Sequence, residues 1–119
     1  MKLRVRSGSL RLRLSQKEVE RLRDTGSVEE RLDVAPGAAL SWTIAAADVE
    51  AVRVSLDGAR LRVEAPRATV RAWCETEEVG FGGTEGALTV LIEKDWECLK
   101  PRGEDDADAF PHPANVKRT

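Results

Sequence analysis

Tyrosine is absent from this chain, and only three tryptophans and two phenylalanines occur in its 119 residues. Proteins that read single-stranded nucleic acid stack bases on aromatic side chains, so the scarcity disfavours nucleic acid as a partner. Charge agrees, because 19 Lys and Arg face 21 Asp and Glu, without the basic excess such binding needs. Cysteine is nearly missing too. Cys74 and Cys98 form no C-x-x-C pair, and the single histidine, His112, lies 14 positions from Cys98, so the spacing of a zinc site is lacking. A Cys–His nucleophile pair would have to recruit that same histidine from a proline-rich stretch. The run EDDAD lacks the alternating acids and the glycine of a calcium loop. No G-x-S-x-G, phosphate-binding glycine loop or dinucleotide fingerprint occurs. Motifs therefore suggest no catalytic residue, no metal ligand and no cofactor.

Long apolar runs are absent as well. No segment approaches the roughly 18 apolar residues of a membrane span, and the start MKLRVR lacks the apolar region of a signal peptide. These features lead us to expect a cytoplasmic chain with reduced thiols and no membrane partner.

What the sequence does contain is alternation. LRVRSGSLRLRL, residues 3–14, places leucine or valine on one face and arginine on the other around a Ser7-Gly8 turn, the period of a half-buried hairpin. Its expected register sets Arg6 opposite Ser9, Val5 opposite Leu10, Arg4 opposite Arg11 and Leu3 opposite Leu12. SQKEVERLRDTG follows with Ser15 and Glu18 at capping-box spacing, and Gly26 is placed to end the helix in a left-handed cap. Val19 and Leu22 give that helix its apolar stripe. Strands SVEERLDV and ALSWTIA, joined by APGA, complete the first unit.

The order then repeats. VRVSLDGARLRV reads as a second hairpin around Asp57-Gly58, with Leu56 opposite Ala59, Val54 opposite Leu61 and Arg53 opposite Arg62. Pro66 opens a second helix, RATVRAWCETEE, and strands VGF and GALTVLIEKD close the unit around a glycine-rich turn, Gly82 to Gly86. Helix starts Ser15 and Pro66, and post-helix Val28 and Val79, are each 51 positions apart. The expectation is an α+β domain over residues 1–97, built from two ββαββ halves (about 1–46 and 49–95) with two short helices. Its eight strands would form a barrel-like or two-sheet body. Residues 98–119 read as an extended, acidic, proline-rich tail, with Phe110 as a candidate anchor.

Charge is unevenly spread. Residues 1–23 hold eight cations against Glu18 and Glu20, whereas residues 103–111 hold Glu104, Asp105, Asp106 and Asp108 without a cation. Cross-strand pairs such as Arg4 with Arg11 and Lys2 with Arg13 repel unless something neutralises them. Guanidinium forks suit phosphates and carboxylates. Arg4, Arg6, Arg11 and Arg13, with Arg53, Arg60 and Arg62 as their counterparts, are therefore the candidate ligand-binding residues. Competing explanations are water on an ordinary wet sheet face, a neighbouring Glu29 or Glu64, and the EDDAD run folding back over the basic hairpin.

The segments MKLRVRSGSLRLRLSQKEVERLRDTGSVEERL and LIEKDWECLKPRGEDDADAFPHP resemble a family of short, uncharacterised bacterial proteins of unknown function. That resemblance implies a complete single domain and carries no activity. A looser similarity is to the triphosphate tunnel enzymes, which implies a barrel of charged strands handling phosphate through E-x-E-x-K on the first strand. Here that strand reads K-L-R-V-R, and Glu93 and Asp95 offer an E-x-D elsewhere. The expected function is a non-catalytic binding module for a protein partner or a small anionic ligand. The alternatives are a tunnel-type phosphate hydrolase and a protein-interaction module acting through the tail, with a homodimer among the expected states.

Overall fold

The computed structural model describes residues 1–95; the expectations for Cys98, Phe110, His112 and the EDDAD run fall outside the described residues. The first hairpin forms β1 (Lys2–Arg6) and β2 (Ser9–Leu14) in the expected register, with Arg4 facing Arg11 and Leu3 facing Leu12. Helix α1 (Gln16–Thr25) begins on the expected capping box: Ser15 accepts from the Glu18 backbone N–H while the Glu18 carboxylate accepts from that of Ser15. It ends at Gly26, whose φ of 87° is open to glycine without steric cost. β3 (Ser27–Ala35) and β4 (Ala38–Ala47) follow as an antiparallel pair with a register shift between Asp33 and Ala35.

The second half runs β5 (Arg53–Asp57), β6 (Arg60–Pro66), α2 (Arg67–Glu75), β7 (Gly80–Glu85) and β8 (Leu88–Lys94). Three sequence expectations need correction. The turn of the second hairpin is Gly58-Ala59, so Leu56 faces Leu61, Val54 faces Val63 and Arg53 faces Glu64. A register shifted by two keeps every apolar side chain on the same face, so periodicity cannot separate the two choices. The observed register puts opposite charges across from each other, at Arg53/Glu64 and Asp57/Arg60, where the expected one juxtaposed two arginines. Second, Pro66 caps α2 rather than lying inside it, and the helix stops at Glu75. Third, Gly82 and Gly83 lie within β7, and the turn is confined to Gly86-Ala87.

The strands form two four-stranded sheets, ordered β1-β2-β8-β7 and β3-β4-β6-β5. Exchanging the halves, β1 for β5 and β4 for β8, converts one order into the other. Each sheet thus takes one hairpin from each half, joined at its centre by a parallel pair: β2 with β8, and β4 with β6. The inner faces of both sheets and the facing sides of the two helices share one core. Leu12, Leu14, Val90 and Ile92 enter it from the first sheet, Val28, Ile44 and Val63 from the second, and Leu22 and Trp73 from the helices. Trp73 is wholly buried, donates from Nε1 to the Val79 carbonyl at 3.2 Å and meets Phe81 edge to face at 5.3 Å.

Of the two architectures expected, the two-sheet body is the one formed; the barrel does not close. Two seams separate the sheets, each made where a residue preceding a hairpin reaches the neighbouring edge. At one seam the ammonium of Met1 hydrogen-bonds Glu18, and Glu30 of β3 at 2.6 Å, and the Met1 carbonyl accepts from Trp42 Nε1 at 3.1 Å. At the other, Val52 abuts β7 so closely that a Cβ on Gly83 would lie 3.0 Å from the Val52 Cβ. Glycine at 83 is a packing requirement of that seam. Gly83→Val should therefore lower stability by about 1–3 kcal/mol through overpacking, measured by urea unfolding, whereas Gly83→Ala should lose less.

Candidate functional site

Because apolar residues of β2 face the core, Arg11 and Arg13 project from the outer face of the first sheet, beside Lys2 and Arg4 of β1. The parallel neighbour β8 brings acids into this field. Arg13 is in register with Glu93, whose Oε1 lies 3.1 Å from Arg11 Nε and 3.9 Å from Arg13 Nε. Lys2 Nζ reaches Asp95 at 2.8 Å. That Glu93 oxygen is shielded from solvent and makes no aligned hydrogen bond, so its pairing with two guanidinium groups is electrostatic rather than a directed fork. Arg6 is exposed at the hairpin end.

The second set lies on the other sheet. Arg62 Nε pairs with Glu64 at 3.4 Å, Arg53 faces Glu64, and Arg60 faces Asp57 across the hairpin. The two arginine sets therefore do not converge on one cavity, and Glu93 and Asp95 share the outer face of the first sheet with the cations. Relief of the like charges comes from β8, not from Glu29, which instead accepts from Thr43 Oγ1 at 3.4 Å. No signal in the local sequence could have identified Glu93 as that partner, because it arrives through a pairing between residues about 80 positions apart.

Two clefts flank the helix pair, and sequence reading missed both. One, of about 430 Å³, lies between α1 and the end of β8 and is lined by Leu14, Val19, Glu20, Cys74 and Lys94. The other, of about 410 Å³, is its counterpart under exchange of the halves and gathers Arg23, Arg67 and Arg71 beside Glu75. Arg67 Nε pairs with Asp48 at 2.8 Å, and Arg23 Nε with Asp24 at 2.9 Å, so the arginines there are partly matched from their own neighbourhood. The Lys94 ammonium sits 5.6 Å from the centre of the Trp73 ring, a cation–π distance, and donates to the Thr76 carbonyl at 2.5 Å.

Titration behaviour gives little sign of a reactive centre. Burial pushes the Cys74 thiol up, and nearby Lys94 and Arg23 only partly offset it, so the thiol is protonated at neutral pH and is a weak nucleophile. Burial also raises Glu18, but hydrogen bonds from the Met1 ammonium and from the Ser15 backbone outweigh it, leaving the carboxyl below its ordinary range. Among the described residues no three His, Cys, Asp or Glu side chains group as metal ligands. No helix there is long and apolar enough to cross a membrane.

Two outcomes follow from these geometries. A double-mutant cycle of Arg11→Ala and Glu93→Ala should give a coupling of up to roughly 1 kcal/mol, read by urea unfolding and shrinking as salt rises. For Glu18, a depressed folded-state pKa contributes stability above its unfolded value of about 4.3, and that contribution is lost as pH falls through the folded value. Wild type should therefore lose this contribution as pH falls from about 4.3 through the lower folded value, and Glu18→Gln should be less stable at pH 6 while losing less between pH 6 and 3.

No curated protein and no solved structure matches the chain. A match over residues 1–114 covers almost the whole sequence, and with it the chain belongs to a family of unknown function, DUF7009.

Proposed function

We propose that this protein is a non-catalytic binding module whose partner is another protein, held by the apolar end of the second sheet. In both sheets the hairpin turns lie at one end and the helix connections at the other. The helices cover the inner faces at their own end only. At the turn end the inward-facing side chains of the second sheet continue beyond the core: Leu32 faces Leu40, and Leu61 lies between Trp42 and Leu56. Leu32 is 51% exposed and Leu56 is 68% exposed. Exposed leucines on both edge strands of the sheet, linked across its centre by the half-buried Leu40 and Leu61, are the observation that carries this reading, since large apolar side chains left in water mark contact sites.

A second reading, an oxyanion bound by the outer arginines, draws on the Arg4–Arg11 juxtaposition in β1 and β2. Glu93, Asp95, Glu64 and Asp57 oppose most of that charge, which favours the protein partner. A tunnel-type hydrolase would require arginines and carboxylates facing one enclosed space. The strand arginines lie on the outward faces of two separate sheets, with Glu93, Glu64 and Asp57 beside them, which speaks against it.

The test is a paired substitution, Leu32→Glu with Leu56→Glu. Both side chains are largely exposed, so unfolding free energy should change by less than about 1 kcal/mol. The variant should lose the protein that co-purifies with wild type from its native cell. Retention of the same partner would sink this reading. So would stabilisation of wild type by phosphates or nucleotides that disappears in the pair Arg4→Ala and Arg11→Ala, which would instead establish the oxyanion reading.

A further inference from the structure

We propose that the open edge of β3 (Ser27–Ala35) is an interaction surface for the same strand of a second copy of this chain. The two strands pair antiparallel about a two-fold axis at Leu32. This goes beyond the partner reading above, since it concerns the edge of the second sheet rather than its inner face, and it shares only Leu32 with that reading.

The backbone of this edge points outward. β3 is an edge strand, and among the described residues no backbone group of residues 31–35 bonds outside its pairing with β4. Ser41, which faces Arg31, donates its N–H at 3.0 Å to Ala59 on the far side of β4. Ala46 donates instead toward the β3 side, to Gly26 at 2.8 Å. Arg31 and Ser41 are therefore an antiparallel pair of the non-hydrogen-bonded type, whose backbone groups turn away from each other. By alternation Glu29, Arg31 and Asp33 all aim their N–H and C=O groups at the open edge. The end of this strand also runs beyond the body of the sheet, because β4 pairs with β6 only from Ser41 onward while Leu32 and Asp33 face Leu40 and Ala39. An open edge that carries large exposed apolar side chains is a template for another strand, and Leu32 and Val34 are both exposed.

Charge decides which strand fits. A continuous sheet must pair outward-aimed residues with outward-aimed residues, which allows only registers two residues apart. Centred on Leu32, the pairing sets Arg31 opposite the second copy's Asp33 and Asp33 opposite its Arg31, with Leu32 against Leu32 between them. Each flanking pair exchanges two backbone hydrogen bonds, and the central pair is of the close, non-hydrogen-bonded type. A shift of two residues one way puts Arg31 against Arg31 and Glu29 against Asp33; the other way puts Asp33 against Asp33. Both bring like charges together, which opposes pairing. The strand is thus complementary to itself in one register. In the single chain Arg31 Nε turns to Asp33 of its own strand at 3.2 Å, with both side chains largely exposed, so each is available to a facing strand. The register shift between Asp33 and Ala35 limits the ladder to the segment around Leu32, and association should accordingly depend on concentration.

Sedimentation of the full chain over a range of concentrations is the test. Wild type should approach twice the mass of one chain as concentration rises. Arg31→Asp and Asp33→Arg each set like charges opposite each other and should each weaken association about tenfold, with an unchanged far-ultraviolet spectrum because both sites are exposed. An equimolar mixture of the two variants should associate as wild type does, and so should the exchange of both residues in one chain, Arg31→Asp with Asp33→Arg. A wild type that stays monomeric throughout would overturn the proposal, as would a dimer indifferent to both variants or a mixture that fails to recover. Leu56→Glu, on the opposite edge strand, separates this proposal from the partner reading: it should leave the dimer intact while removing the partner protein.

Discussion

The parallel pairing of β2 with β8 and of β4 with β6 is the constraint on which the rest of this molecule depends. Hairpins are local and can form from neighbouring residues, but an isolated two-stranded hairpin is marginally stable in water. Joining a hairpin from the start of the chain to one from its end creates a four-stranded sheet with an apolar face broad enough to bury. The same pairing positions Glu93 against Arg11 and Arg13, which makes the basic face of the first hairpin tolerable. Core formation and charge neutralisation are thus consequences of one long-range event. Folding has to close a loop of about 80 residues before that event yields any return, and non-local pairing of this kind slows folding.

The two halves meet the same structural demands with different chemistry. Helix α1 is fastened by a capping box whose glutamate also binds the terminal ammonium; α2 carries no side-chain cap and begins at a proline. One seam between the sheets is polar, through Met1 and Glu30, and the other is a close apolar contact through Val52 and Gly83. The clefts beside the helices differ likewise, with Glu20 and Lys94 in one and Arg67 and Arg71 in the other. A repeated scaffold has kept its hydrogen-bonding plan while its polar surfaces have diverged. The function of the protein is expected to reside in those differences and in the uncovered end of the second sheet.

Electrostatics in this chain is largely internal. Heavy use of arginine on strand surfaces invites the idea of an anionic ligand, and that idea follows correctly from like charges set opposite each other. Strand pairing changes the balance: a strand distant in sequence delivers Glu93 to the first hairpin, and the second hairpin carries Glu64 and Asp57 of its own. Exposed ion pairs of this type contribute little to stability individually, but they let a surface carry many arginines without needing a partner to neutralise them.

Much of the architecture was legible from sequence by itself. Alternation set the first hairpin and its register, Ser15, Glu18 and Gly26 bounded the first helix, and the 51-residue spacing revealed two ββαββ units. These are local properties, governed by side-chain period and by the hydrogen-bonding needs of helix ends. Register in the second hairpin was not determined locally, since two registers two residues apart bury the same face, and the match of Arg53 with Glu64 and Asp57 with Arg60 distinguishes them only once both are compared. Which hairpin joins which, whether eight strands close into a barrel, and that Glu93 answers Arg11 and Arg13 were decided by tertiary structure alone. The reason is physical: each depends on contacts between residues far apart in the chain, and no local pattern encodes the identity of a distant neighbour.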